Sequence, residues 1–148
     1  MSLELETRTG LPEPLRLLLR DYPRHGWQAD PQFHGLVSFW LDRHLMFRDL
    51  MSRMTQETET FLNGDSDDRR FARVIAHYGS AFVNQLHGHH QIEDQHYFPI
   101  LRTRDPRIEA GFDLLDNDHH ALDGLLARFV DQANGVIPEP MSVTWSDI

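Results

Sequence analysis

FARVIAHYGSAFVNQLHGHHQIEDQHYFPI, residues 71–100, is the stretch on which the fold turns. Phe71, Ile75, Tyr78, Phe82 and Leu86 recur at spacings of three and four, the repeat of one face of an α-helix. The same stripe continues through His89, Glu93, His96 and Ile100. A long core-facing helix therefore carries imidazoles and a carboxylate where apolar side chains belong. Pro99 falls in its last turns and is expected to kink or tighten that end.

Two more helices follow from the flanking sequence. Upstream, Leu36, Trp40, His44, Phe47, Met51, Met54 and Phe61 form a stripe on a helix from about Gln32 to Phe61, stopped by Asn63-Gly64. The second helix begins after Asp65-Ser66, either of which can cap it, and runs to about Arg102. Downstream, Asp105-Pro106 starts a third helix that ends at Asn134-Gly135. Its stripe is Ile108, Phe112, Leu115, His119, Leu122, Leu126, Phe129 and Ala133. No segment alternates as a strand must. Short loops between long helices make antiparallel neighbours, so the expected fold is all-α, an up-down antiparallel helical bundle in a single domain. Residues 1–31, with four prolines, read as an irregular arm packed on the bundle through Tyr22 and Trp27, with a short helix over Leu15–Arg20; residues 32–134 form the bundle and 135–148 a tail.

The 148 residues, 40% hydrophobic and 25% charged, are typical of a globular protein. A net charge of −9 argues against nucleic acid or an anionic membrane as partner. It does not oppose a cation. With no cysteine, thiolate and iron–sulfur sites are excluded, and nitrogen and oxygen ligands remain. The sequence has no long apolar run and no leader pattern, so a cytoplasmic location is expected. No Ser/His/Asp or Cys nucleophile arrangement and no phosphate-binding glycine loop stands out, and no residue is assigned a catalytic role.

Each of the three apolar stripes is interrupted by histidine. Burying unpaired imidazoles and a carboxylate costs several kcal/mol. A core holding His44, His89, Glu93 and His119 must pair them with one another or with a divalent cation. Imidazole suits Zn, Fe, Cu or Ni, and carboxylate adds hard-oxygen character. His89 and Glu93, four apart, can reach one ion. His96 lies on the same seam one turn further, and His90 flanks it; both stand as additional candidates. His77 and His87 point away from the seam, His120 lies at its flank, and His25 and His34 precede or begin the first helix.

The segments around His44 and His119 share a pattern of apolar residues at +3, +6 and +7. With His44 in the first helix, His89-His90-Gln91-Ile92-Glu93-Asp94 leading into Tyr97-Phe98-Pro99 in the second, and His119 in the third, residues 32–134 resemble the hemerythrin/HHE cation-binding family. The resemblance implies a four-helix bundle with a non-haem di-iron site, with His44, His89, Glu93 and His119 as ligands and Glu93 as the bridging carboxylate. It also implies a fourth helix bearing another histidine and carboxylate. The repeat projects that pair beyond Ile148, so the chain is expected to lack this helix, with Trp145-Ser146-Asp147 as its start or a second subunit completing the bundle. Three histidines and one glutamate also suit tetrahedral zinc.

Three functions fit these residues. The first is a metal-binding, hemerythrin-like protein that binds O₂, senses iron or oxygen, or stores metal. The second is a ferritin-like di-iron carboxylate oxidase or oxygenase, which would use Glu93-Asp94-Gln95-His96 as a Glu-x-x-His ligand pair. The third is a metal-free interaction or pH-sensing module with titrating core histidines.

Overall fold

The structure is a computed structural model that describes residues 4–145, the side chain of Pro14 excepted. The arm comprises a 3₁₀ turn over Glu13–Arg16, α1 over Leu17–Asp21, and a second 3₁₀ segment over Arg24–Ala29. The bundle is built from α2 (Leu36–Leu62), α3 (Asp68–Ile92), α4 (Phe98–Leu101) and α5 (Glu109–Asn134). The protein is all-α, with three long helices as the sequence stripes require.

The helix ends follow local chemistry. α2 starts at Leu36 rather than Gln32, because Gly35 takes φ 59°, ψ −119° and turns the chain out of helical space. It stops, as expected, at Asn63-Gly64, with Gly64 at φ 81°. The cap of α3 is Asp67, whose carboxylate accepts from the Arg70 N–H at 2.8 Å, not Asp65 or Ser66. Ser66 is used elsewhere: its hydroxyl donates to Glu57, and the Arg70 guanidinium donates to the same carboxylate at 3.0 Å. Glu57 is buried and would be costly there without these partners. The Ser66 hydrogen bond, then Arg70, holds its carboxyl below the usual range. Asp105 accepts from the Arg107 N–H at 3.0 Å and opens a 3₁₀ turn over Pro106–Ile108 before α5 proper.

α3 packs against both α2 and α5 and is the shared wall of the core. One cluster joins Phe47, Leu50 and Met54 of α2, Phe71, Ile75, Phe82, Val83 and Leu86 of α3, and Leu126, Val130 and Ala133 of α5. Leu36, His44, Met51, Ile100 and Leu115, expected in the core, are exposed, whereas Leu50 and Leu114 are buried. Phe47, Met54, Leu126 and Ala133 keep the expected stripes, and because α3 is the neighbour common to α2 and α5, Leu50 and Leu114 are buried in place of Met51 and Leu115.

The arm is anchored differently from expectation. Tyr22 is 63% exposed, and the Trp27 indole N–H donates to the Tyr22 carbonyl at 2.8 Å, within the arm itself. Ion pairs link the arm to α5: the Arg8 guanidinium meets the Asp118 carboxylate at 3.1 and 2.6 Å, and Arg128 donates to Glu6 at 3.4 Å. The tail after α5 is an ordered strap. Ile137 and Met141 are buried, the Asn84 amide donates to the Ser142 carbonyl at 2.9 Å and its oxygen accepts from the Thr144 N–H at 2.8 Å. Trp145 closes the strap outside any helix; Ser146 and Asp147, where a further helix was expected to begin, lie outside the described residues. No helix among the described residues is long and apolar enough to cross a membrane.

Gly79 lies buried where α3 meets the strap, and a Cβ built there would overlap the Met141 sulfur and touch Phe129. In an open helix Gly→Ala stabilises by about 1 kcal/mol. Here Gly79→Ala is expected to destabilise by about 1–3 kcal/mol through overpacking. Adding Met141→Ala should relieve the clash, so the two substitutions should be less damaging together than their separate effects sum to. Urea unfolding of the single and double variants measures both effects, and a stabilising Gly79→Ala would show that the strap is not packed on α3.

Candidate metal centre

The long stripe on α3 does not continue unbroken. Residues Glu93–Tyr97 form a π turn, closed by the Phe98 N–H donating to the Glu93 carbonyl five residues back. Pro99 offers no N–H, and its ring crowds the carbonyl four residues earlier, so a tight α continuation is disfavoured at this point. His89 and Glu93 precede the shift and stay on one face. Beyond it the register moves by about one residue: Phe98 is buried, while His96 and Ile100 are exposed. The extra residue of the π turn thus removes His96 from the seam, and a Glu93–His96 pair on one face is not formed.

His44, His89 and Glu93 come together, each offering one donor atom within 4.8 Å of the others. The His44 ring lies 4.8 Å from that of His89, at 83°. Its Nδ1 sits 2.8 Å from the Trp40 carbonyl, so Nδ1–H donates there and the Nε2 lone pair is left for a ligand. Glu93 faces two histidines with its two oxygens. Oε1 is 3.4 Å from His89 Nε2, and Oε2 is 3.5 Å from His119 Nε2. His119 Nδ1 is 2.7 Å from Asp94 Oδ1. The wall behind His89 is aromatic, with Trp40 at 4.3 Å and Phe47 at 5.3 Å between ring centres.

His90 is buried but lies towards α5, stacked on the His119 ring at 3.9 Å and 11°. His87 is also buried rather than pointing to solvent. Its Nδ1 is 3.3 Å from Asp123 on α5, and its ring meets the edge of Trp145. Two residues of this region carry no role in the sequence reading, Asp94 and Asp123. Asp123 stands four residues after His119, but its partner is His87 on α3, which spacing within α5 does not disclose. Nothing in the sequence alone ties Asp94 to His119, because their meeting depends on how α5 crosses the π turn.

The electrostatics are those of a site made for a cation. Burial, and then Asp94, pushes the Glu93 carboxyl up to about 7. Burial, and then the neighbouring His44, lowers His89 to about 4; burial, and then His119, lowers His90 to about 3. Both nitrogens of His89 are buried without a hydrogen-bond partner. Such orphaned groups cost about 1–3 kcal/mol each, and a cation drawing on the imidazole lone pair and the carboxylate would remove part of that cost. The donors are imidazole nitrogen and carboxylate oxygen, which suit borderline divalent metals.

The profile of the hemerythrin HHE cation-binding domain matches residues 35–144. The chain therefore belongs to the hemerythrin HHE cation-binding domain family, a domain that binds metal cations. No curated protein and no solved structure matches the chain significantly.

The shifted carboxyl gives metal uptake a defined pH dependence. Below about 7 Glu93 holds a proton that must leave before its oxygen can ligate, whereas His89 and His90, held at about 4 and 3, are already neutral. The Glu93 contribution to metal affinity is thus expected to rise with pH up to about 7 and flatten above it. Titration calorimetry in buffers of different ionisation heat should find that Glu93→Gln releases nearly one proton per ion fewer than the parent protein at about pH 6 and about the same number at about pH 8.5. Equal release by the two proteins at about pH 6 would show that Glu93 does not ligate.

Proposed function

We propose that the protein is a hemerythrin-like non-haem iron protein that binds O₂, senses iron or oxygen, or stores metal, with His44, His89, Glu93 and His119 as ligands. The observation that carries this reading is the divided carboxylate of Glu93. One oxygen turns towards His89 and the other towards His119, as a carboxylate shared by two cations would. The His44–His89–Glu93 position has three donors from this chain; the His119 position has two, counting the second Glu93 oxygen. A first ion would therefore meet more donors from this chain than a second. Bound iron would supply one-electron redox chemistry and an exchangeable coordination position. The protein's own contribution is to orient the imidazoles, keep His89 neutral by burial, and shield it from water behind Trp40 and Phe47.

The proposed partners are the metal ion, O₂ and a second copy of the chain that completes the bundle, in a cytoplasmic setting. Val37, His44 and Met51 are spaced by seven and share one face of α2, and both apolar members are exposed, at 52% and 45%. A second copy packed there would cover the open side of His44. Zinc remains the competing occupant for the same donors.

Metal analysis of anaerobically purified protein, with its optical spectrum, tests this reading. Iron at one to two ions per chain with a ligand-to-metal charge-transfer band is expected; zinc alone would remove oxygen chemistry. His89→Ala should abolish tight binding, whereas His96→Ala should leave it intact. The reverse pattern would favour the ferritin-like alternative. A melting temperature unchanged by chelator would overturn every metal reading, since an ion that binds the native state must stabilise it.

A further inference from the structure

We infer that Asp94 is a positioning residue: together with stacked His90 and Phe98, it clamps the His119 ring so that only Nε2 faces Glu93. This rests on the metal-site reading above and adds to it a residue that the ligand set does not include.

The geometry is specific. Asp94 Oδ1 lies 2.7 Å from His119 Nδ1, a charge-assisted distance. With Nδ1–H donating to that carboxylate oxygen, Nε2 is the ring nitrogen left to face a ligand. That nitrogen is the one 3.5 Å from Glu93 Oε2. The ring plane is fixed as well, by His90 at 3.9 Å and 11° and by Phe98 at 5.5 Å and 25°. In-plane rotation is set by Asp94 and tilt by the two stacked rings.

The chain order explains why adjacent acids divide the work. Glu93 and Asp94 are consecutive at the start of the π turn, so their side chains leave the helix in different directions. Glu93 points to the space among His44, His89 and His119, whereas Asp94 reaches the far nitrogen of His119 alone. His90, one turn before Asp94 on α3, supplies the stacking surface, and Phe98 supplies the other from beyond the turn. The widened turn is what lets α4 bring Phe98 back to a ring that α3 already supports.

His44 shows the same logic with a backbone partner, its Nδ1 fixed by the Trp40 carbonyl. Two of the three histidines are thus committed to the same tautomer before any cation arrives. His119 alone depends on a side chain from another helix for it.

The test separates the clamp from the metal. Long-range ¹H–¹⁵N spectra of metal-free, histidine-labelled protein report the tautomer of each ring. His119 is expected in the Nδ1–H form in the parent protein and mainly in the Nε2–H form in Asp94→Leu. Zinc titration of the same samples should show affinity reduced by about 10–100-fold in Asp94→Leu. Asp94→Asn, which retains an oxygen acceptor, should fall between the two and controls for folding. If the parent protein binds zinc and neither the tautomer nor the affinity moves in Asp94→Leu, the clamp is wrong and the metal site stands. If the parent protein binds neither zinc nor iron but His119 shows Nδ1–H that is lost in Asp94→Leu, the metal site falls and the clamp stands.

Discussion

A carboxylate set among imidazoles is the constraint on which the rest depends. Among the described residues, the groups gathered around Glu93 are His44, His89, His119 and the neighbouring acid Asp94, and no arginine forms an ion pair with it. Burial raises its pKa to about 7, so near neutrality the site lies close to the boundary between protonated and charged forms. Each neighbouring feature answers to that group. Trp40 and Phe47 line the His89 side, the π turn begins at Glu93 itself, and α5 is placed so that His119 meets the carboxylate from across the core. A proton or a cation can satisfy Glu93, and the two exclude each other. That exclusion links metal uptake to pH.

Much of the architecture was legible in the sequence because it is set by local chemistry. Asn63-Gly64 and Asn134-Gly135 end helices where left-handed or fraying backbone is cheapest, and Asp105-Pro106 starts one. His89 and Glu93 could be paired from spacing alone, since both precede any irregularity. His96 could not be placed, because an unbroken period of 3.6 residues assigns it to the seam and the π turn takes it off. The same assumption put Ile100 in the core. Periodicity reports which face a residue occupies only while the helix remains regular.

The remaining misses are of a different kind. Asp94, His87 and Asp123 gain their meaning from contacts between helices, and sequence spacing within one helix says nothing of the angle at which another crosses it. Composition marks the tail as a linker because of Pro138 and Pro140, yet it docks through Ile137 and Met141 and through two hydrogen bonds to the Asn84 side chain. A strap of this sort is held by a few scattered side chains, Ser80 and Asn134 among them, too sparse a pattern to stand out from loop sequence.

The strap has a further consequence for the region it covers. Asn84 presents a donor and an acceptor to residues 142 and 144, so a side chain on a helix fixes two backbone groups of the strap. His87, one turn along α3, meets the edge of the Trp145 ring at the end of that same segment. Displacing residues 142–145 would therefore uncover the buried His87 ring and the contact it makes with Asp123.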